Sequence, residues 1–338
     1  MTMLCLALLL VLATLLRLCV GDSFGWPGGQ LNWAIWRLLL THWADATGFD
    51  SLLDIRLHRV ALAVLVGSSL ATSGVALQAL LRNPLAEPFI LGLSSGAGVG
   101  VMAQMLAGYY LGYVFGAHTL GALAGASVSM LIVYVAGQRQ GVIDPLGLLL
   151  VGVVLSTING AIIVLMNYLP GSAGLRDDLA RWMMGYLNEN VAGTPTVLVM
   201  TLVTATGFLV LLFLGRAMDV ATFSDTEAIS LGVNLRGLRV VLFAVASVLA
   251  GGAVVLAGPI AFVGLVCPHA ARLLMGPAHR PLLIAAAMMG AALILLADTA
   301  TVWLDFGQGR LPLGVLTAVL GGPVFVWMLR PQLGRGME

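Results

Sequence analysis

Arg82-Asn-Pro-Leu-Ala-Glu-Pro-Phe-Ile-Leu-Gly-Leu-Ser-Ser-Gly96 is a polar hinge, punctuated by two prolines, between the apolar runs 59–81 and 88–107. Each run has the length, about 20 residues, that carries a helix across the hydrocarbon core of a bilayer. A membrane-spanning strand would show alternating segments of about 10 residues, and these runs do not alternate. The hinge therefore turns the chain from one membrane-spanning helix into the next.

The rest of the chain repeats this pattern. Hydrophobic residues make up 60% of it and charged residues 9%, against about 25% charged in a soluble domain. Such a composition cannot build a solvated surface. Net charge is +1, which argues against nucleic acid as a partner, and all 16 basic residues are Arg. Without Lys there can be no Walker A loop, whose lysine reaches the phosphates. Any ATPase that drives this protein sits on another chain.

Ten apolar spans are expected, at 3–20, 59–81, 88–107, 114–136, 145–169, 193–214, 239–257, 259–275, 281–303 and 311–330. The first is expected to be a retained helix. Residues 1–16 lack the positive flank of a signal peptide, and Arg17 lies at the far end of the run. Ten spans put both termini on one side. With the termini inside, nine arginines lie on inner segments and seven on outer ones, a weak positive-inside bias.

Segments recur in order. Arg59-Val60-x-Leu62 matches Arg239-Val240-x-Leu242, Leu70-Ala71 matches Leu249-Ala250, Pro84-Leu85 matches Pro259-Ile260, and Pro145-Leu146-Gly147 matches Pro312-Leu313-Gly314. The matched spans are five apart, so the two halves have opposite orientation, a transporter architecture. The fold class is an all-α membrane protein of about ten transmembrane helices with an inverted internal repeat. Repeat one covers about 59–169 and repeat two about 239–330, after a first helix at 3–20.

Polar residues collect at 21–58, at 170–190, where a short amphipathic helix is expected, and at 215–238. The last stretch holds Ser224-Asp225-Thr226-Glu227, an N-cap with acids in the first turn. A capped helix in a connecting loop is a docking surface.

Several motifs have plain readings. Gly92-Leu-Ser-Ser-Gly96 matches the serine-hydrolase pattern G-x-S-x-G but lacks the strand–turn–helix setting. Gly92, Gly96 and Gly100 form a smooth helix face, and Gly112/Gly116 and Gly121/Gly125 repeat the theme of close helix packing. Cys267-Pro268-His269 lacks the further ligands a metal needs; no metal site is expected. Pro268 is expected to break a helix, with His269 and Arg272 at headgroup level. Cys5, Cys19 and Cys267 are read as packing residues. Asp298, inside an apolar run, is either a proton relay or substrate contact, or a helix-end acid bonded to a neighbour.

In this order the motifs resemble those of the FecCD-type permeases, membrane subunits of importers for iron-siderophore, haem and cobalamin. The similarity runs from residue 52 onward. It includes Arg56-Leu-His-Arg59, the signature loop Arg82–Gly96 with Asn83, Pro84, Glu87, Pro88 and Gly92, and Trp182-Met-Met-Gly185. It continues through Glu227-Ala-Ile-Ser-Leu-Gly-Val233, Gly258–Arg272, Leu311-Pro-Leu-Gly-Val315 and Gly321-Gly-Pro-Val-Phe325.

The resemblance implies one permease domain over 1–338, a type II ABC importer subunit that is not an enzyme and binds no cofactor. It implies a homodimer in the cytoplasmic membrane with both termini cytoplasmic. Two ATPase subunits, which hold ATP and Mg, bind inside, and a substrate-binding protein docks outside. The inner segment 215–238, with Asp225, Glu227, Ala228, Leu231, Gly232 and Val233, would contact the ATPase. Arg56 and Arg59 match positions that receive carboxylates of the binding protein. The pathway would run along helices 145–169 and 311–330, with Ser156, Asn159, Asn167, Leu313 and Gly314 on it.

Three departures from the family pattern stand out: His58 in place of Pro, Val302 in place of an outer Arg, and Arg310 in place of Glu. Arg310 is expected to supply the docking charge lost at Val302. The leading cargo is an iron(III)-chelate, siderophore or haem, with cobalamin as the alternative. An ion-coupled secondary transporter would share the inverted repeat and the intramembrane acid, but it needs no ATPase dock.

Overall fold

The computed structural model describes residues 1–21, 30–31, 50–112, 118–170, 175–187, 194–304 and 311–334. Within them are twelve α-helices and two short antiparallel hairpins. The helices are α1 (Thr2–Cys19), α2 (Asp50–Leu81), α3 (Leu93–Leu111), α4 (Thr119–Ala136), α5 (Pro145–Met166) and α6 (Leu175–Met183). They continue with α7 (Thr194–Val220), α8 (Asp225–Ser230), α9 (Leu235–Ala257), α10 (Val263–Met275), α11 (His279–Trp303) and α12 (Leu313–Gly334). A helix falls on each of the ten expected spans. The other two, α6 and α8, are the short helices expected at 170–190 and in the 215–238 segment.

Among the described residues, seven helices are long and apolar enough to cross a membrane: α1, α2, α4, α5, α7, α9 and α11. Val263–Met275 and Leu313–Trp327 are shorter apolar stretches. The expected span 88–107 is divided into a 3-10 turn at Pro88–Leu91 and the glycine-rich α3.

Helix α2 is the axis of the bundle. It is buried over most of its length and packs against α11, α9, α10 and α7. Small residues allow the approach: a side chain at Gly67 would overlap the carbonyl of Gly290 in α11, and one at Gly74 that of Gly264 in α10. Without a hydrophobic drive between helices in lipid, this backbone contact supplies the van der Waals attraction that holds them.

Helices α3 and α4 use the same device, with Gly96 and Gly100 seated against Gly125 and Gly121. Gly92 does not belong to that face. It ends the 3-10 turn at φ 77 and opens α3, a left-handed conformation that suits a residue without Cβ.

Pro84-Leu85 and Pro259-Ile260, matched in sequence, both lie where helices are interrupted, between α2 and α3 and between α9 and α10. Pro268, by contrast, sits within α10 and does not end it. The break falls earlier, at Gly258–Phe262. His269, expected at headgroup level, is instead 3% exposed, with its ring edge-on to Phe325 of α12 at 6.5 Å.

Candidate functional site

Most of the residues expected to be functional fall in three groups. The first surrounds α8. Ser224 caps it: its hydroxyl accepts from Glu227 N at 3.3 Å, while the Glu227 carboxylate accepts from Ser224 N at 2.9 Å. This capping box satisfies donors that a six-residue helix otherwise leaves open. At the other end Gly232 takes φ 84, and Val233 N donates back to the Ala228 carbonyl at 3.0 Å.

Asp225 fixes α8 to the bundle. Arg239 of α9 donates from Nη2 to both carboxylate oxygens at 2.9 Å, and Arg82 donates to Oδ1 at 2.7 Å. Arg82 also donates from Nε to the Ala221 carbonyl at 2.9 Å. Burial alone would raise the Asp225 pKa, but Arg239 and Arg82 outweigh it and hold the carboxyl below its ordinary value. Glu227 is held low by its hydrogen bonds from Ser224.

Ala228 is buried beneath the helix, whereas Ile229 and Leu231 are 61% and 64% exposed beside an exposed Phe223. Ile229 and Phe223 were not singled out in the sequence. Their signal is an apolar side chain next to a capped polar turn, which needs the fold to tell surface from core.

The second group is the loop between α2 and α3. Asn83 Oδ1 accepts from Leu85 N at 2.9 Å, closing a local turn at exposed Pro84. Glu87 reaches out of the loop and accepts from Phe262 N at 2.7 Å. Buried Pro88 lies against Gly264, and Gly92 against Gly152 and Ser156 of α5. All five expected loop residues therefore belong to one turn, which joins α2, α5 and α10.

The third group lies at the opposite ends of α1, α2 and α11. Arg59 donates to both oxygens of Asp298, and Arg17 donates to Oδ2 of the same carboxylate. All three are buried, Asp298 at 1% exposure. Asp298 is thus bonded to neighbours, Arg17 and Arg59, neither of which the sequence indicated as its partner. Arg56, partly exposed, donates to the Leu18 carbonyl at 2.8 Å. Arg59 is not displayed at the surface as Arg56 is. Arg310 lies outside the described residues.

The expected pathway residues are dispersed. Asn159 is buried inside the subunit and donates to Ser129 and Ser95 at 3.2 Å. Ser156 donates back to the Gly152 carbonyl, and Asn167 to that of Ile163. Leu313 is buried, and Gly314 N donates to the Gly185 carbonyl at 3.3 Å. The exposed face of α5 carries Leu150, Val153, Val154 and Ile158 instead. Among the described residues no group of three or more His, Cys, Asp or Glu could hold a metal ion.

The described residues thus form a multi-pass helical bundle with interrupted helices and a short capped helix, α8, at one end. The chain belongs to the FecCD transport family, whose model matches residues 9–331. It is 39% identical over 332 residues to the vitamin B12 import system permease protein BtuC of Escherichia coli O17:K52:H18, covering 97% of this chain and 94% of that protein. The BtuC of Shigella sonnei strain Ss046 matches with the same identity and coverage.

A solved structure described as an inward-facing conformation of a putative metal-chelate type ABC transporter superposes with TM-score 0.78 at 26% identity, covering 97% of this chain and 98% of that one. PsaBC from Streptococcus pneumoniae shares the fold at TM-score 0.51 and 14% identity. The chain is therefore a multi-pass membrane permease of a metal-chelate or B12-type ABC importer, a transport subunit and not an enzyme.

Proposed function

We propose that the cargo is cobalamin. The observation that carries this reading is the 39% identity to vitamin B12 permeases along nearly the whole of both chains. An iron(III)-chelate, the leading cargo on sequence alone, is the second reading; the metal-chelate description of the structural neighbour favours it.

In this reading two copies of the chain form the conduit in the cytoplasmic membrane, with both termini in the cytoplasm. ATP and Mg are held by a pair of partner ATPase subunits. The α8 segment, Asp225 to Val233, seats in the ATPase, and the exposed Ile229 and Leu231 offer it the apolar contact. A substrate-binding protein docks at the opposite face through Arg56, Arg310 and the charge around Arg59. The apolar faces of α5 and α12 line the passage. Such a lining suits a bulky chelate, since a bare ion needs fixed ligands.

The test is ATP hydrolysis by the chain assembled with its ATPase, with the binding protein added empty or loaded with cobalamin, ferric siderophore or haem. Stimulation by the cobalamin-loaded form supports the proposal. Stimulation by a ferric siderophore or haem alone moves the cargo to the second reading. Failure to assemble with any ATPase contradicts the importer.

A further inference from the structure

We infer that Glu87 is a positioning residue that ties the docking helix α8 to the interior of the second half of the chain. The inference deepens the importer reading and rests on it. A helix begins with backbone N–H groups that have no partner within the helix. Helix α10 has no cap from its own N-cap residue, Phe262, whose side chain cannot accept a hydrogen bond. Glu87, 175 residues earlier in the chain, accepts from Phe262 N at 2.7 Å instead.

This junction lies inside the bundle. Helix α10 has 13 residues, about 20 Å, too short for a core of about 30 Å. Its first turn packs on Leu70 and Gly74, in the interior of α2 and not at its end. Phe262 itself stands at φ 69, an uncommon conformation for a residue with a side chain, and its ring packs on Gly321 of α12.

The loop that carries Glu87 begins at Arg82, which holds Asp225 of α8. A five-residue step thus joins α8, through Arg82 and Glu87, to Phe262 and on to α12. Contiguity alone does not establish coupling; the side-chain chemistry of Glu87 allows it to be tested.

The experiment compares wild type, Glu87→Gln and Glu87→Met in the complete importer, reading ATP hydrolysed per cargo molecule delivered. Gln keeps an acceptor of the same reach, and Met keeps the length without it. The expected result is a ratio within about twofold of wild type for Gln and a rise of at least about tenfold for Met. Equal ratios in all three, or equal losses in Gln and Met, overturn the inference.

Amide exchange of residues 262–266 is measured on the same chains in detergent. Exchange at least about tenfold faster in Met alone supports the capping role even if that variant does not assemble, and equal exchange overturns it. A wild-type complex that delivers no cargo contradicts the importer reading, and the exchange result then decides the role of Glu87 separately.

Discussion

Arg59 grips Asp298 with two donors, Nη2 to Oδ1 at 2.8 Å and Nε to Oδ2 at 2.9 Å, at a site where both side chains are buried. Arg17 shares the carboxylate, so the first helix is fastened to α2 and α11 by charge as well as by packing. Removing one member of a buried ion pair leaves its partners desolvated and uncompensated. Asp298→Ala should therefore destabilise the chain by about 3–5 kcal/mol, read as a lower midpoint of unfolding in detergent. An unchanged midpoint would show that the cluster is not structural.

The same geometry separates Arg56 from Arg59, both expected at the docking face. Arg56→Glu should weaken binding-protein affinity about tenfold, or 1.4 kcal/mol, with little change in the unfolding midpoint. Arg59→Gln should lower the midpoint first. Titration of the binding protein against both variants, beside their melting curves, checks the contrast. Equal loss of affinity with equal stability would place both arginines at the docking face.

Ile229 and Leu231 face outward from α8, so Ile229→Glu should leave the fold intact. If this side chain is an anchor in the ATPase contact, its loss costs about 2 kcal/mol of association. Co-purification with the ATPase under increasing dilution measures this, and assembly as tight as wild type would contradict the docking assignment.

Asp225 gives a pH prediction. Its folded value lies below the ordinary carboxylate value of 3.8 because of Arg239 and Arg82. The stabilisation from these pairs is thus fully present above 3.8 and is lost as pH falls through the lower folded value. Attachment of α8 should be flat from pH 5 to 8, followed by exchange of the 224–233 amides. Loosening within that window would mean Asp225 is not held by its arginines.

Gly67→Ala should fail to fold correctly, since its side chain meets the Gly290 backbone, which cannot yield; overpacking costs about 1–3 kcal/mol or more. Expression and melting of Gly67→Ala beside Gly251→Ala, where a Cβ meets nothing within 4 Å, isolates the contact. Similar behaviour of the two would refute the packing argument.

The membrane class, the positions of the helices, the hinge at Arg82–Gly96 and the capped helix after Ser224 were legible in the sequence. Hydrophobic length and N-cap chemistry act locally, and each leaves its own mark. The partners of Asp298 were not, because an ion pair between residues 17 and 298 depends on how α1 packs against α11. The partners of Asn159 were hidden for a similar reason. A polar residue in an apolar helix can face a passage or a neighbour, and here it faces Ser95 and Ser129. Glu87 stood within a recognised loop, but its partner lies in the other half of the chain. Pro268 was read as a helix end, whereas the interruption uses Gly258 and Phe262, both at positive φ.

The most direct test is cobalamin accumulation in vesicles that hold this chain with its ATPase, with ATP on the ATPase side and the loaded binding protein on the other. The account predicts uptake that requires both ATP and the binding protein and stops when the ATPase is inactivated. Uptake that ignores ATP and follows an ion gradient would contradict it and assign the chain to secondary transport.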